Sequence, residues 1–170
     1  VETRSALAAI MEYDGPVYFR LNRPDTPIVF DDDYQFVLGK AVVVREGSDV
    51  TVFSTGTQTS RAFEAAEVLA LEGIDVHLVH VPTVKPLDVD TVVAAAKKTG
   101  LVVTSEEHTV VGGLGGAIAE ALAMNAPTPM VLHGLQDVFG ESGPDGPLLD
   151  KYGISAGKTA AAIKGAVENQ

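Results

Sequence analysis

From about Phe36 onward, short apolar runs rich in β-branched residues alternate with stretches whose apolar positions recur at helical spacing. The runs fall at residues 41–44, 50–54, 76–81, 101–104 and 130–132, and runs of this kind read as buried strands. A helix is predicted over 58–72, stopped at Gly73. A second helix follows Asp88, which can cap it; Lys97 and Lys98 sit near its negative end, and Gly100 closes it. A third begins after the glycines at 112–116 and runs to about Met124. The last, over 155–167, is amphipathic with Ser155 as its cap. Apolar strands joined by helical crossovers predict parallel pairing, with both sheet faces covered. The first two runs are the exception. Only Arg45-Glu46-Gly47-Ser48-Asp49 separates them, too short for a parallel crossover, so 41–44 is expected as an antiparallel edge strand. The fold class expected is α/β: a three-layer α/β/α sandwich around a mixed five-stranded sheet with one antiparallel edge strand.

The first 35 residues do not follow this rhythm. A helix is predicted over 2–13, stopped by Asp14-Gly15-Pro16, and residues 17–21 read as a short strand. Asn22-Arg23-Pro24-Asp25-Thr26-Pro27 is turn-rich, because proline prevents regular pairing. One helix and one strand cannot bury their own apolar faces, so these residues are expected to pack on something further. The text opens at Val1 in what reads as mid-helix, which suggests a fragment or a processed piece. Two units are therefore expected, 1–35 and 36–170.

Composition narrows the function classes. Hydrophobic residues make up 46% and charged residues 21% of the 170, enough apolar material for a packed core. No apolar run approaches the ~20 residues that cross a bilayer. A formal net charge of −11 repels phosphate backbones and argues against nucleic-acid binding. The absence of cysteine removes disulfides, thiol catalysis and zinc–thiolate sites together. A soluble, cytoplasmic protein is expected.

Candidate chemistry is sparse. His77 and His80 lie three apart on one strand and point to opposite faces, so they do not share a metal. His133 ends an apolar run and is expected to face a cleft at the carboxyl end of the sheet. Ser105-Glu106-Glu107-His108 follows the fourth run and precedes Val111-Gly112-Gly113-Leu114-Gly115-Gly116-Ala117 at a helix start. Amides there could hold an anion, but an acidic loop beside them would repel a diphosphate, so close packing is the better expectation. Adjacent Glu106 and Glu107 point apart, which disfavours an acid–base pair and suggests a polar interface. Residues 54–57 form another helix start, read as a capping turn or a weak anion site. Arg20 and Arg23 bracket Leu21-Asn22 in a strongly acidic chain. Guanidinium groups suit phosphate, although surface arginines more often form ordinary ion pairs.

Read together, five segments resemble the transketolase family over nearly the whole chain. Gly15-Pro16-Val17-Tyr18-Phe19-Arg20-Leu21-Asn22-Arg23-Pro24 is similar to the end of the family's pyrimidine-binding domain. Gly39-Lys40-Ala41 through Val52-Phe53-Ser54-Thr55-Gly56 is similar to the entry of its carboxy-terminal domain. Val81-Pro82-Thr83-Val84-Lys85-Pro86-Leu87-Asp88, then Glu106-Glu107-His108 with the following glycines, then Phe139-Gly140-Glu141-Ser142-Gly143, complete the order.

The resemblance implies that 1–35 is the tail of a pyrimidine-binding domain and 36–170 a transketolase C-terminal domain. It implies ketol transfer between sugar phosphates with thiamine diphosphate and magnesium, the cofactor serving as nucleophile and electron sink. The family's Gly-Asp-Gly metal and diphosphate motif is absent, and the glutamate that activates the cofactor would precede Val1. The chain alone is therefore expected to be catalytically incomplete, and to bind neither cofactor nor metal. The resemblance assigns Arg23, and less directly Arg20, to the substrate phosphate, since related deoxyxylulose-phosphate synthases carry two arginines in this turn. Glu106, Glu107, His108, Gly113 and Gly115 are expected at a domain interface. The implied partners are the missing pyrophosphate- and pyrimidine-binding parts, or an N-terminal subunit, within a homodimeric enzyme. Two other readings stand beside this one: an assembly module of a related enzyme, such as that synthase or a 2-oxo acid dehydrogenase beta subunit, and a nucleotide-binding domain with its ligand at 112–116. The segment 139–143 favours transketolase.

Overall fold

A computed structural model describes residues 1–23 and 25–170. Its elements in chain order are α1 (Glu2–Met11), β1 (Val42–Arg45), β2 (Val50–Ser54), α2 (Gln58–Leu71), β3 (Val76–His80), α3 (Val89–Thr99), β4 (Val102–Thr109), α4 (Leu114–Asn125), β5 (Met130–Leu135), α5 (Asp145–Lys151) and α6 (Ala156–Glu168). The five strands form one sheet in the order β1-β3-β2-β4-β5. Strand β1 runs antiparallel to β3 at the edge, and the other pairings are parallel. Every residue of β2 and β3 is buried, as expected of strands covered on both faces. Helices α2 and α6 cover one face over Val50, Val52, Leu69, Leu78, Val103 and Ile163. Helices α3 and α4 cover the other over Phe53, Val79, Val92, Val102, Ile118 and Leu122. The result is the three-layer sandwich that the alternation predicts.

Local chemistry sets several boundaries. Asp88 accepts hydrogen bonds from the Thr91 amide at 3.4 Å and the Thr91 hydroxyl at 2.9 Å, which starts α3. Gly100 ends the helix in the left-handed conformation, with φ of 73°. The same Asp88 also accepts from the Ala41 amide at 3.1 Å and pairs with Lys40, so it ties the segment entering β1 to the start of α3. Ser155 caps α6 through the Lys158 amide, as its position predicts.

Three expectations fail for nameable reasons. Residues 17–21 form no strand; they join none of the five strands of the sheet, and Tyr18 and Leu21 are exposed. Strand β4 does not stop near Thr104 but continues to Thr109, because its pairing with β5 carries polar residues into the sheet. His133 does not face a cleft: it lies within β5, buried, with Nε2 3.0 Å from the Thr159 hydroxyl under α6.

Helix α1 packs back at the carboxyl end of β3. Ala6 is buried, and the Ser5 hydroxyl accepts from the Phe36 amide at 3.0 Å. The Glu2 carboxylate lies 2.7 Å from His80 Nε2 and accepts from the Tyr34 hydroxyl at 2.9 Å. Leu7 and Met11 remain exposed on the other side of α1, as does Tyr13 just beyond its end. Among the described residues no helix is long and apolar enough to cross a membrane.

Candidate functional site

Strand β4 ends between the amino-terminal ends of two helices, α2 on one face of the sheet and α4 on the other. Successive side chains on a strand alternate faces, so Glu106 and Glu107 are sent to different helices. Each helix start thereby receives one carboxylate, where unpaired amides and the helix dipole favour negative charge.

Glu106 is 1% exposed. Its two oxygens accept from the Leu114 amide at 2.7 Å and the Gly115 amide at 2.8 Å, the first turn of α4. Gly113 and Gly115 make this approach possible. A Cβ on Gly113 would overlap the Glu106 carboxylate, and one on Gly115 would lie 2.8 Å from Leu132 Cδ2 and 2.9 Å from Thr104 Oγ1. Gly134 on β5 completes the fit, since a Cβ there would come within 2.9 Å of the His108 carbonyl oxygen. The helix start thus does hold an anion, and the anion is the chain's own.

Glu107 faces α2. Its Oε2 accepts from the Thr57 hydroxyl at 2.7 Å and pairs with the Arg61 guanidinium at 2.6 Å. Thr57 and Arg61 stand one helical turn apart, which puts both on one side of α2. Burial alone would raise the Glu107 carboxyl. Hydrogen bonds from Arg61 and Thr57, with the charges of Arg61 and Arg20, overcome it and hold the group below its ordinary value. Gln58 steadies the cluster by accepting from Arg61 at 3.2 Å and donating to the Ile154 carbonyl at 3.1 Å.

The arginine turn lies across this cluster. Arg20 donates from NH1 to the Glu107 carbonyl oxygen at 2.9 Å. Arg23, on the same turn, is exposed. Pro24, which follows it, lies outside the described residues. Asn22, between the two arginines, lines a cleft of about 200 Å³ whose walls also carry Arg61 and the carboxylates of Asp25, Glu107, Glu141 and Asp145. A larger, open groove of about 480 Å³ runs along Leu101, Met130, Val131, Ala162 and Ala166, at the opposite end of the strands. It is lined without any titratable side chain and is remote from this cluster.

Other candidates are scattered. Of the residues expected at an interface, Glu106 and Gly115 are buried within this chain against each other, Glu107 and Gly113 are partly buried, and His108 is exposed. His77 meets Lys98 and Glu46 on the α3 side, and burial first, then the Lys98 charge, lowers its pKa. His80 takes the opposite face, with Nδ1 2.6 Å from the Thr59 hydroxyl. Among the described residues no group of three or more His, Asp or Glu is placed to hold a metal ion. The sequence marks Thr57 only as part of the helix start at 54–57, and it marks neither Gln58 nor Arg61. The one signal available was the helical spacing of Thr57 and Arg61 at the carboxyl end of a strand. Chemically, the arrangement can present a guanidinium to an anion; the Glu106 and Glu107 carboxylates are already engaged within the chain.

Comparison with known proteins shows the family and the fold. The family described as "Transketolase, C-terminal domain" matches residues 39–158. An uncharacterized transketolase family protein of Sinorhizobium fredii is 47% identical over 96% of this chain and 48% of its own length. A 6-deoxy-6-sulfo-D-fructose transketolase subunit from Clostridium sp. is 42% identical over 99% of this chain and 52% of its own. The chain thus spans about half the length of these relatives. A solved structure described as a split gene transketolase, an inactive beta4 tetramer, superposes with a TM-score of 0.94 at 45% identity. It covers 98% of this chain and 55% of that one.

Proposed function

The chain belongs to the transketolase family, and on that premise we propose that it is the carboxy-terminal part of an enzyme moving a two-carbon ketol unit between sugar phosphates. Arg23 binds the substrate's phosphate in this reading. The observation that supports it is the placement of the arginine turn: Arg20 is fastened to the end of β4, and Arg23 is exposed next to Asn22, which lines the cleft. A planar, permanently charged guanidinium gives a phosphate directed, charge-assisted hydrogen bonds. The relative acting on a sulfo-sugar suggests sulfonate as an alternative anion for the same group.

Thiamine diphosphate and magnesium supply the reactive carbanion chemistry in this reading. The residues described here do not fit the diphosphate end of that cofactor, because the glycine-rich start of α4 is taken by the Glu106 carboxylate. No step is therefore routed through it on this chain. The cofactor is assigned to the rest of the complete enzyme, either a longer chain or an N-terminal partner subunit, working as a homodimer in the cytoplasm. Residues 1–35 are the tail of the pyrimidine-binding domain and 36–170 the carboxy-terminal domain.

A second reading, assembly without chemistry, is favoured by exposed apolar residues such as Tyr18 at 91% and Phe139 at 100%. Turnover separates the two. Xylulose 5-phosphate and ribose 5-phosphate, with thiamine diphosphate and magnesium, are offered to this chain alone and to the complete enzyme. Turnover by the complete form only supports the proposal. Turnover by the isolated chain contradicts its incompleteness, and turnover by neither favours the assembly reading.

A further inference from the structure

Resting on the phosphate reading of Arg23, we infer that Glu107 is a positioning residue that holds the arginine turn in place for the substrate's anion. Residues 16–22 belong to no strand, so no ladder of backbone hydrogen bonds sets where Arg23 stands. What fixes the turn is Arg20, three residues earlier, donating to the Glu107 carbonyl. The direction of that carbonyl is not dictated by the sheet either. The register of β4 against β5 breaks between Ser105 and Thr109, and Glu107 falls inside the break. The Glu107 side chain supplies the missing constraint, because Thr57 and Arg61 clamp its carboxylate to the first turn of α2. One residue therefore faces two ways: its side chain is fastened to the sandwich, and its carbonyl fastens the turn.

The Glu107 carboxylate is the acidic partner of Arg61 and lies within electrostatic reach of Arg20. Neutralising it leaves two guanidinium groups beside the cleft with less to hold them in fixed orientations. The two possible roles of this carboxylate predict opposite signs. If it acted only through the field, its removal would add positive potential and tighten phosphate binding. If it positions the turn, its removal weakens phosphate binding.

The test compares xylulose 5-phosphate with xylulose in the complete enzyme, for the wild type and E107Q, E107D and R23A, with inorganic phosphate as a competitive inhibitor. Thermal unfolding of each variant confirms that it is folded. E107Q is expected to raise KM for xylulose 5-phosphate about tenfold and to weaken inhibition by phosphate, with a much smaller change for xylulose. E107D keeps the charge and recovers part of the loss. An unchanged or lowered KM for xylulose 5-phosphate in E107Q, or equal losses for both sugars, overturns the positioning role. R23A keeps the two claims separate. If R23A leaves the preference for the phosphorylated sugar unchanged, the phosphate reading fails and the positioning role with it. If R23A abolishes the preference while E107Q does not move it, only the positioning role fails.

Discussion

The Glu106 carboxylate accepts from the Leu114 amide at 2.7 Å while almost wholly removed from solvent, so the start of α4 is neutralised from inside the molecule. A buried carboxylate is costly unless donors surround it, and removing one side leaves the other unpaired. E106Q puts an amide NH2 against helix amides that need acceptors. It is expected to lower stability by about 2–4 kcal/mol, read from urea unfolding. G113A should be similarly harmful, because its Cβ claims the space of that carboxylate. In a double-mutant cycle the two losses should fall well short of additive.

Asp88 joins two parts of the chain, and replacing it should show at both. D88A removes the α3 cap and the acceptor for the Ala41 amide. The cap alone is worth about 1 kcal/mol. Hydrogen exchange should show lost protection at Ala41 as well as at the first turn of α3. Loss confined to α3 would mean that the Ala41 contact contributes nothing.

Acid sensitivity follows from Glu107. Its folded carboxyl lies below the ordinary value of 4.5, so protonation favours the unfolded chain. Its contribution is fully present above that value and is lost as pH falls through the depressed folded value. The stability gap between wild type and E107Q should therefore be widest near neutrality and close on acidification. A gap constant from pH 7 to pH 3 would show that the carboxylate's charge is not the source.

Much of the sandwich was legible because its signals are local. Apolar runs marked the strands, Asp88, Ser155 and Gly100 marked helix ends, and the five-residue link between the first two runs marked the antiparallel edge. What escaped depends on distant partners. Residues 17–21 have strand-like composition but pair with no strand of the described sheet. The polar end of β4 is extended by β5 despite its Ser-Glu-Glu-His composition. Helix α5 is short and carries Gly146 and Pro147, which hide it from any propensity argument. The glycines at 112–116 pointed to close packing, which Gly113 and Gly115 show, without announcing that the group packed there would be the Glu106 carboxylate. Arg61 gave little warning beyond its helical spacing from Thr57, since its role exists only where α2 meets β4.

The fully buried Ile163 tests the packing of α6, the last layer of the sandwich. I163A should cost about 2–5 kcal/mol in unfolding experiments. A cost under about 1 kcal/mol would mean that α6 is not tightly packed on the sheet.

The central claim is that this chain brings a phosphate-binding arginine to a transketolase, and R23A in the complete enzyme tests it most directly. The quantity to measure is kcat/KM for xylulose 5-phosphate divided by that for xylulose. Losing a charge-assisted contact predicts that this ratio falls by roughly tenfold to a hundredfold, with xylulose itself little affected. A ratio unchanged by R23A would contradict the account.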